Sequence, residues 1–316
     1  MSGADITSGQ ASGRSAPLTP PAPSPRDWAL LIGLSVIWGT AFMGVDLSLD
    51  GFSPLWVAAG RTLIAALALL IASQAMGQGL GRVTSPKAWG FVMALGIAAA
   101  ALPFSLLSWG QQHVPSAFAG VSMGAVPLVT LLLAMAFSPE EGVGPRGIAG
   151  VALGFVGLIV LVGPGVFDAG SDNVALGRIA CVLSALSYAA GNILTRRAPP
   201  VPPIAMATGA MSIAAMILVP TALIFEGPPE LPDMSSSSAL LWVALGPTAL
   251  AAFLSVRIIQ NVGSLFLSQV SYMVPLWSVI FGVTLLNETL RPELFIALAL
   301  ILSGIALGQW SALRRR

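Results

Sequence analysis

A single arginine stands inside an apolar stretch of the chain. Arg61 lies about seven residues into a run that opens near Pro54, where a guanidinium is disfavoured in hydrocarbon unless a partner or water reaches it. Two readings are open at this point. Arg61 binds a carboxylate carried by a ligand, or it is structural and bonds helix carbonyls or the nearby Asp46 and Asp50. Other residues able to recognise a small molecule are embedded in similar runs. Trp38 sits in the middle of one. Tyr188 and Asn192, one turn apart, put a hydroxyl and an amide on one helical face. Ser268, Gln269, Ser271 and Tyr272 come just before Pro275. The chemistry they support is recognition, by donors and aromatic faces, and Trp38, Arg61, Tyr188, Asn192, Gln269, Ser271 and Tyr272 are the candidate substrate-binding set. Interhelical hydrogen bonding that only holds a bundle together is the competing use of such residues.

Bond-breaking chemistry finds little to work with. The chain has one histidine, His113, and one cysteine, Cys181, so no intramolecular disulfide and no zinc or haem cluster is expected. No Asp or Glu falls in the middle of an apolar run to serve as a proton relay. Neither a phosphate-binding glycine loop nor a Gly-x-Ser-x-Gly elbow occurs. The expectation is a non-enzyme without cofactors. His113, with Gln111 and Gln112, falls in a turn where it could sense pH or cap a cavity. Cys181 reads as packing.

These residues need elements to hold them, and composition says which. Of 316 residues 56% are hydrophobic and 9% charged, with mean hydropathy +0.88 and net charge +1, outside the range of soluble domains. Scattered basic residues offer no stripe for nucleic acid. Crossing about 30 Å of hydrocarbon takes roughly 20 apolar residues. Ten stretches qualify, near 28–46, 54–75, 88–109, 116–137, 146–166, 176–195, 203–225, 238–257, 264–286 and 293–312. Residues 1–27 read as a disordered tail and 313–316 as a basic terminus. Trp28, Trp56, Trp89, Trp242 and Trp310 lie near span ends and read as interfacial anchors.

Charge gives an orientation. With the amino terminus inside, Arg14, Arg26, Arg82, Lys87, Arg146, Arg196, Arg197, Arg257, Arg314, Arg315 and Arg316 fall on the cytoplasmic side, eleven of the fourteen basic residues. Arg178 and Arg291 fall outside. Both termini are therefore expected in the cytoplasm.

The chain also repeats itself. At an offset of 148, Gln112, Val114, Ser116, Phe118, Val126 and Pro127 meet Gln260, Val262, Ser264, Phe266, Val274 and Pro275, and Glu140 meets Glu288. At 149, Pro54 meets Pro203, Gly60 meets Gly209, and Arg61 meets Ala210. Five spans per half is an odd number, so the halves enter the membrane in opposite senses. The fold expected is an all-α integral membrane bundle of ten transmembrane helices as two inverted five-helix repeats, 28–166 and 176–312, an architecture recurrent in secondary transporters. Pro103, Pro127, Pro247 and Pro275 break helices in both halves and are candidate hinges. Gly120-x-x-x-Gly124, Gly150-x-x-x-Gly154 and Gly304-x-x-x-Gly308 let helices approach closely. The last two either brace the halves or form a dimer face, which leaves monomer and homodimer open.

Ile-Trp-Gly-Thr-Ala-Phe at 37–42, Gly60-Arg61-Thr62, Val274-Pro275 and above all Leu-Leu-Asn-Glu-Thr-Leu at 285–290 resemble the EamA family of the drug/metabolite transporter superfamily. The resemblance covers residues 28–312. In the first half, Phe-Ser-Pro-Glu-Glu at 137–141 departs from the usual apolar-Gly-Glu pattern. The resemblance implies a central cavity walled by the first four helices of each half, with the fifth and tenth peripheral. It implies small-molecule substrates such as amino acids and related metabolites, sugars, nucleotide derivatives or drugs. The reading that follows is alternating-access transport of amino acids or their derivatives, outward across a bacterial inner membrane, with the lipid bilayer and a small substrate as partners. An accessory membrane subunit is the alternative from another class.

Overall fold

The computed structural model describes residues 23–137, 145–163, 172–230 and 232–314. Among them are ten helices and no strand. They are α1 (Pro25–Leu49), α2 (Pro54–Ala75), α3 (Pro86–Gln111), α4 in two segments (Ser116–Ser122 and Ala125–Phe137) and α5 (Pro145–Val162), then α6 (Asp172–Arg197), α7 (Pro203–Phe225), α8 (Met234–Val262), α9 in two segments (Ser264–Leu267 and Val270–Leu285) and α10 (Pro292–Arg314). Eight are long and apolar enough to cross a membrane; the apolar stretches Val270–Leu285 and Pro292–Gly308 are shorter.

Six of the ten helices begin with proline, at Pro25, Pro54, Pro86, Pro145, Pro203 and Pro292. Proline suits the first turn because the missing N–H there has no intrahelical partner to lose. The first helix begins earlier than hydropathy suggests. Ser24 Oγ accepts from the Asp27 N–H while the Asp27 carboxylate accepts from the Ser24 N–H at 2.9 Å, so a capping box draws residues 25–27 out of the expected tail and into α1. The eighth span also grows, from the expected 238–257 to Met234–Val262, because Asp233 accepts from the Ser236 N–H at 3.0 Å and caps it.

Proline inside a span has a different effect. It removes one N–H and crowds the carbonyl four residues earlier. In α3 the stretch Ile97–Ala101, just before Pro103, widens into π-helical geometry, and in α8 the stretch Ala244–Leu250, around Pro247, does the same. In α4 the break falls at Met123–Gly124, before Pro127. Pro275 instead lies within the continuous part of α9, whose break falls at Ser268–Gln269. Three of the four prolines thus sit at or just after irregular backbone.

Packing reproduces the repeat seen in sequence. Helix α1 packs on α8 and α9, and its counterpart α6 packs on α3 and α4; α2 packs on α7, α4 on α9, and α5 on α10. Gly60 of α2 faces Leu240 of α8, and Gly209 of α7 faces Val92 of α3. The Trp38 indole donates to Pro247 O at 3.0 Å, and the Ser187 hydroxyl, 149 positions after Trp38, donates to Ala98 O at 2.7 Å. Ala98 stands 149 positions before Pro247. The helices group into two bodies, each built from both repeats, α1, α2, α8 and α9 in one and α3, α4, α6 and α7 in the other, joined by the packing of α2 on α7 and of α4 on α9.

Helices α5 and α10 meet at glycine. A methyl group on Gly150 would lie 2.5 Å from Gly304 O and Gly308 N, and one on Gly304 would lie 2.6 Å from Gly150 O. These glycines are used within the chain, which resolves the choice between bracing and a dimer face for this surface. A Gly150→Leu variant must push the two backbones apart. It is expected to destabilise the protein by about 1–3 kcal/mol, read as a lower melting temperature of the purified protein in detergent, while Gly33→Ala, where nothing lies within 4 Å, leaves it unchanged.

Candidate functional site

The site grows from one proline. Pro247 has no N–H, so Val243 O loses its usual partner in α8. The Thr248 hydroxyl donates to that carbonyl at 2.8 Å. With its proton committed, the Thr248 oxygen accepts from Arg61 Nε at 2.8 Å. The carbonyl of Pro247 itself accepts from Trp38. One dipeptide in the widened turn of α8 therefore orients an arginine from α2 and a tryptophan from α1.

Arg61 is 6% exposed. Its Cζ lies 3.8 Å from the centroid of the Phe104 ring, a cation–π contact that strengthens where water is scarce. Phe104 in turn meets Tyr188 of α6, with ring centroids 6.2 Å apart. A guanidinium carries five N–H donors, and among the described residues only the Nε–H is hydrogen-bonded. No described carboxylate pairs with it, Asp46 and Asp50 included. Arg61 is held on one edge and one face, and the Nη edge is left for something else. The equivalents in the other repeat are apolar: Ala210 for Arg61 and Ala99 for Thr248. One residue from each repeat makes the polar arrangement, and the pseudo-symmetric pair, Ala210 and Ala99, is apolar.

The structure brings together Trp38, Arg61 and Tyr188 from the expected set. Asn192 lies one turn beyond Tyr188 but is exposed, and its Nδ2 donates to Thr130 of α4 at 3.3 Å. Gln269 stands at the break in α9, and Ser271 and Tyr272 follow in the first turn. Tyr272 packs on the large core cluster and its hydroxyl is buried without a partner. Trp38 packs on the same cluster as Tyr272. Thr248 and Phe104 were not legible as site residues; the signal available was the threonine directly after Pro247.

Several other expectations change place. Trp242 is not only an anchor, since its indole donates to Thr40 of α1 at 2.9 Å, and Trp277 does likewise to Ser35 at 3.0 Å. His113 packs edge-on against Trp109 and faces Gly177 of α6. Cys181 is buried against Gly110. Glu140 and the side chain of Trp310 lie outside the described residues. No group of three or more His, Cys, Asp or Glu able to hold a metal occurs among those described.

The Leu-Leu-Asn-Glu-Thr-Leu segment has a structural explanation. Asn287 adopts φ 54°, a left-handed conformation that asparagine tolerates better than most residues. The chain turns there, Glu288 N–H bonds Gly282 O at 2.9 Å, and the Glu288 carboxylate accepts from the backbone N–H groups of Ser116 at 2.6 Å and Ala117 at 3.1 Å. It caps α4 from the opposite repeat. Gly282 leaves the room, since a side chain there would collide with that carboxylate.

Comparison with known proteins agrees with this architecture. The chain is 27% identical over 285 residues to the inner membrane transporter YedA of Escherichia coli K12, covering 88% of each. A WAT1-related chloroplastic protein of Arabidopsis thaliana is 28% identical over 290 residues, 89% of this chain and 69% of that one. A probable terminal-alkyne amino-acid exporter of Streptantibioticus cattleyicolor is 31% identical over 134 residues, 42% of this chain and 43% of that one. A crystal structure superposes with TM-score 0.66 at 25% identity, covering 92% of this chain and 99% of the other. The model of the EamA-like transporter family matches residues 28–163 and 175–308, one segment per repeat. The chain therefore belongs to the EamA-like transporter family, within the drug/metabolite transporter superfamily, and is a multi-pass membrane transporter of small molecules.

Proposed function

We propose that this protein exports small carboxylate-bearing metabolites, amino acids or their derivatives first, across a bacterial inner membrane by alternating access. The observation that carries the reading is Arg61: buried, positioned by Thr248 and Phe104, without a carboxylate partner among the described residues. A substrate carboxylate completes it, because paired N–H donors on the Nη edge match two carboxylate oxygens. Trp38, Tyr188 and Phe104 supply apolar and π surface for the rest of the substrate. Gln269, Ser271 and Tyr272 of α9, on the same body as Arg61, and Asn192 of α6, on the other, line the path. The partial likeness to an amino-acid exporter supports the substrate class.

The loop charges favour both termini in the cytoplasm. The end of the bundle holding Glu226 and Glu288 then faces outward. Pro103, Pro127, Pro247 and Pro275 serve as hinges at which helix ends swing while the halves exchange roles.

Proteoliposomes bearing the purified protein and tested with labelled amino acids, N-acyl amino acids, sugars and nucleosides will distinguish the substrate classes. Saturable transport of a carboxylate-bearing class is expected. Transport only of neutral sugars or nucleosides overturns the Arg61 reading. In the active assay, Arg61→Ala is expected to raise KM by at least about tenfold, the order of one charged hydrogen bond, in protein that elutes and melts like the parent.

Thr248 acts through Arg61. Thr248→Val is expected to raise KM by several-fold with little change in maximal rate, and Thr248→Ser, which keeps the hydroxyl, to recover most of the affinity. Equal kinetics in the Val and Ser variants would remove the positioning role.

A further inference from the structure

Two glutamates tie the two bodies together at one end of the molecule. Glu226, in the turn after α7, accepts from the N–H groups of Leu55 and Trp56, both at 3.2 Å, and from the Ser53 hydroxyl. The Trp56 indole adds a bond to Gly227 O at 2.9 Å. Glu288, after α9, holds Ser116 and Ala117 as described. Both carboxylates belong to the second repeat, and each grips the first turn of a first-repeat helix. Such a turn presents unsatisfied N–H groups and the positive end of the helix dipole.

The crossing matters more than the capping. Glu226 extends from α7 in one body to α2 in the other, and Glu288 extends from α9 in that second body to α4 in the first. Each bond must break if the bodies separate at this end. Between α4 and α9 the close packing also falls at this end, whereas α2 and α7 pack along their length, with the Thr208 hydroxyl 3.4 Å from Leu69 O towards the other end. The first segment of α4 packs on α9, with Gly120 against Ser278, whereas its second segment, Ala125–Phe137, packs on α5 and α6.

At the opposite end the repeat counterpart of Glu288 is Glu140, outside the described residues. The repeat counterpart of Glu226 is Gly77, at φ +65°, which has no side chain to offer. The helix it would grip is α7, whose start at Pro202 has no side-chain cap.

We propose that Glu226 and Glu288 are the paired latches of the gate at this end, and that they bias the protein toward the state in which it is shut. Opening requires both carboxylates to leave the α2 and α4 termini, whose N–H groups then pass to water. Gly77 leaves the Glu226 latch without an equivalent at the other gate, and to that extent the two gates are unequal. The proposal rests on the alternating-access reading, but its test needs no substrate and so fails or succeeds separately from any transport assay.

Pairs of spin labels in a Cys181→Ala parent report each end. Asp50→Cys with Gln112→Cys spans the two bodies at the latch end, and Lys87→Cys with Arg257→Cys spans them at the other; all four positions are exposed. In lipid nanodiscs, Glu226→Gln and Glu288→Gln are each expected to raise the ratio of long to short latch-end distances by about tenfold, the order of one charged hydrogen bond. The distance at the opposite end should shorten in the same molecules. The double variant should show the larger shift, and if it does not fold, the single variants carry the test. Unchanged distances in folded variants overturn the proposal. So does lengthening at the latch end alone, which would mean local fraying of a cap.

Discussion

Inside hydrocarbon a backbone carbonyl released from its helix must find another donor, and this constraint organises the centre of the molecule. Pro247 releases Val243 O, Thr248 satisfies it, and the geometry this imposes on the hydroxyl is what aims Arg61. The widened turn also exposes Pro247 O, and Trp38 takes that position. A soluble protein would solve the same problem with water. Here one solution comes from Thr248 of α8 itself and the other from Trp38 of α1, and through Thr248 the defect in α8 also reaches Arg61, so α1, α2 and α8 are registered against one another.

Because the chain is a repeat, the same constraint acts twice and is answered in two ways. In α3 the widened turn before Pro103 gives Ala98 O to Ser187 and Pro103 O to Ser184, and nothing charged is involved. The two halves agree in backbone and differ in chemistry. Architecture comes from the shared part, while the polar arrangement is confined to the body of α1, α2, α8 and α9, where Arg61 and Thr248 stand in place of the alanines of the other body. This division explains why a fold with near-symmetric halves need not have a symmetric binding site.

Much of the fold was legible in advance. Hydropathy located ten spans, and the offset identities between 112–127 and 260–275 established the repeat and its inversion. Boundaries were less visible, since the capping box at Ser24 and the cap at Asp233 depend on local hydrogen bonds that hydropathy does not register. Arg61 and Trp38 stood out because their positions are unusual for their types. Thr248 did not, since a lone threonine in an apolar run most often bonds its own helix, and its second bond depends on which helix faces it. Phe104 was hidden among many apolar residues for the same reason.

The division into bodies that mix the repeats also bears on how the chain is made. Trp38 and Pro247 are 209 positions apart, and α1 finds its main partners in α8 and α9. The helix synthesised first is thus among the last to be buried. During biogenesis α1 and α2 must wait in the bilayer with their glycine faces and the Arg61 side chain uncovered until most of the protein has been inserted. Contacts so distant in sequence make assembly slow. A partly inserted chain therefore carries Arg61 and the polar groups of α1 without the α8 partners that hold them in the finished fold.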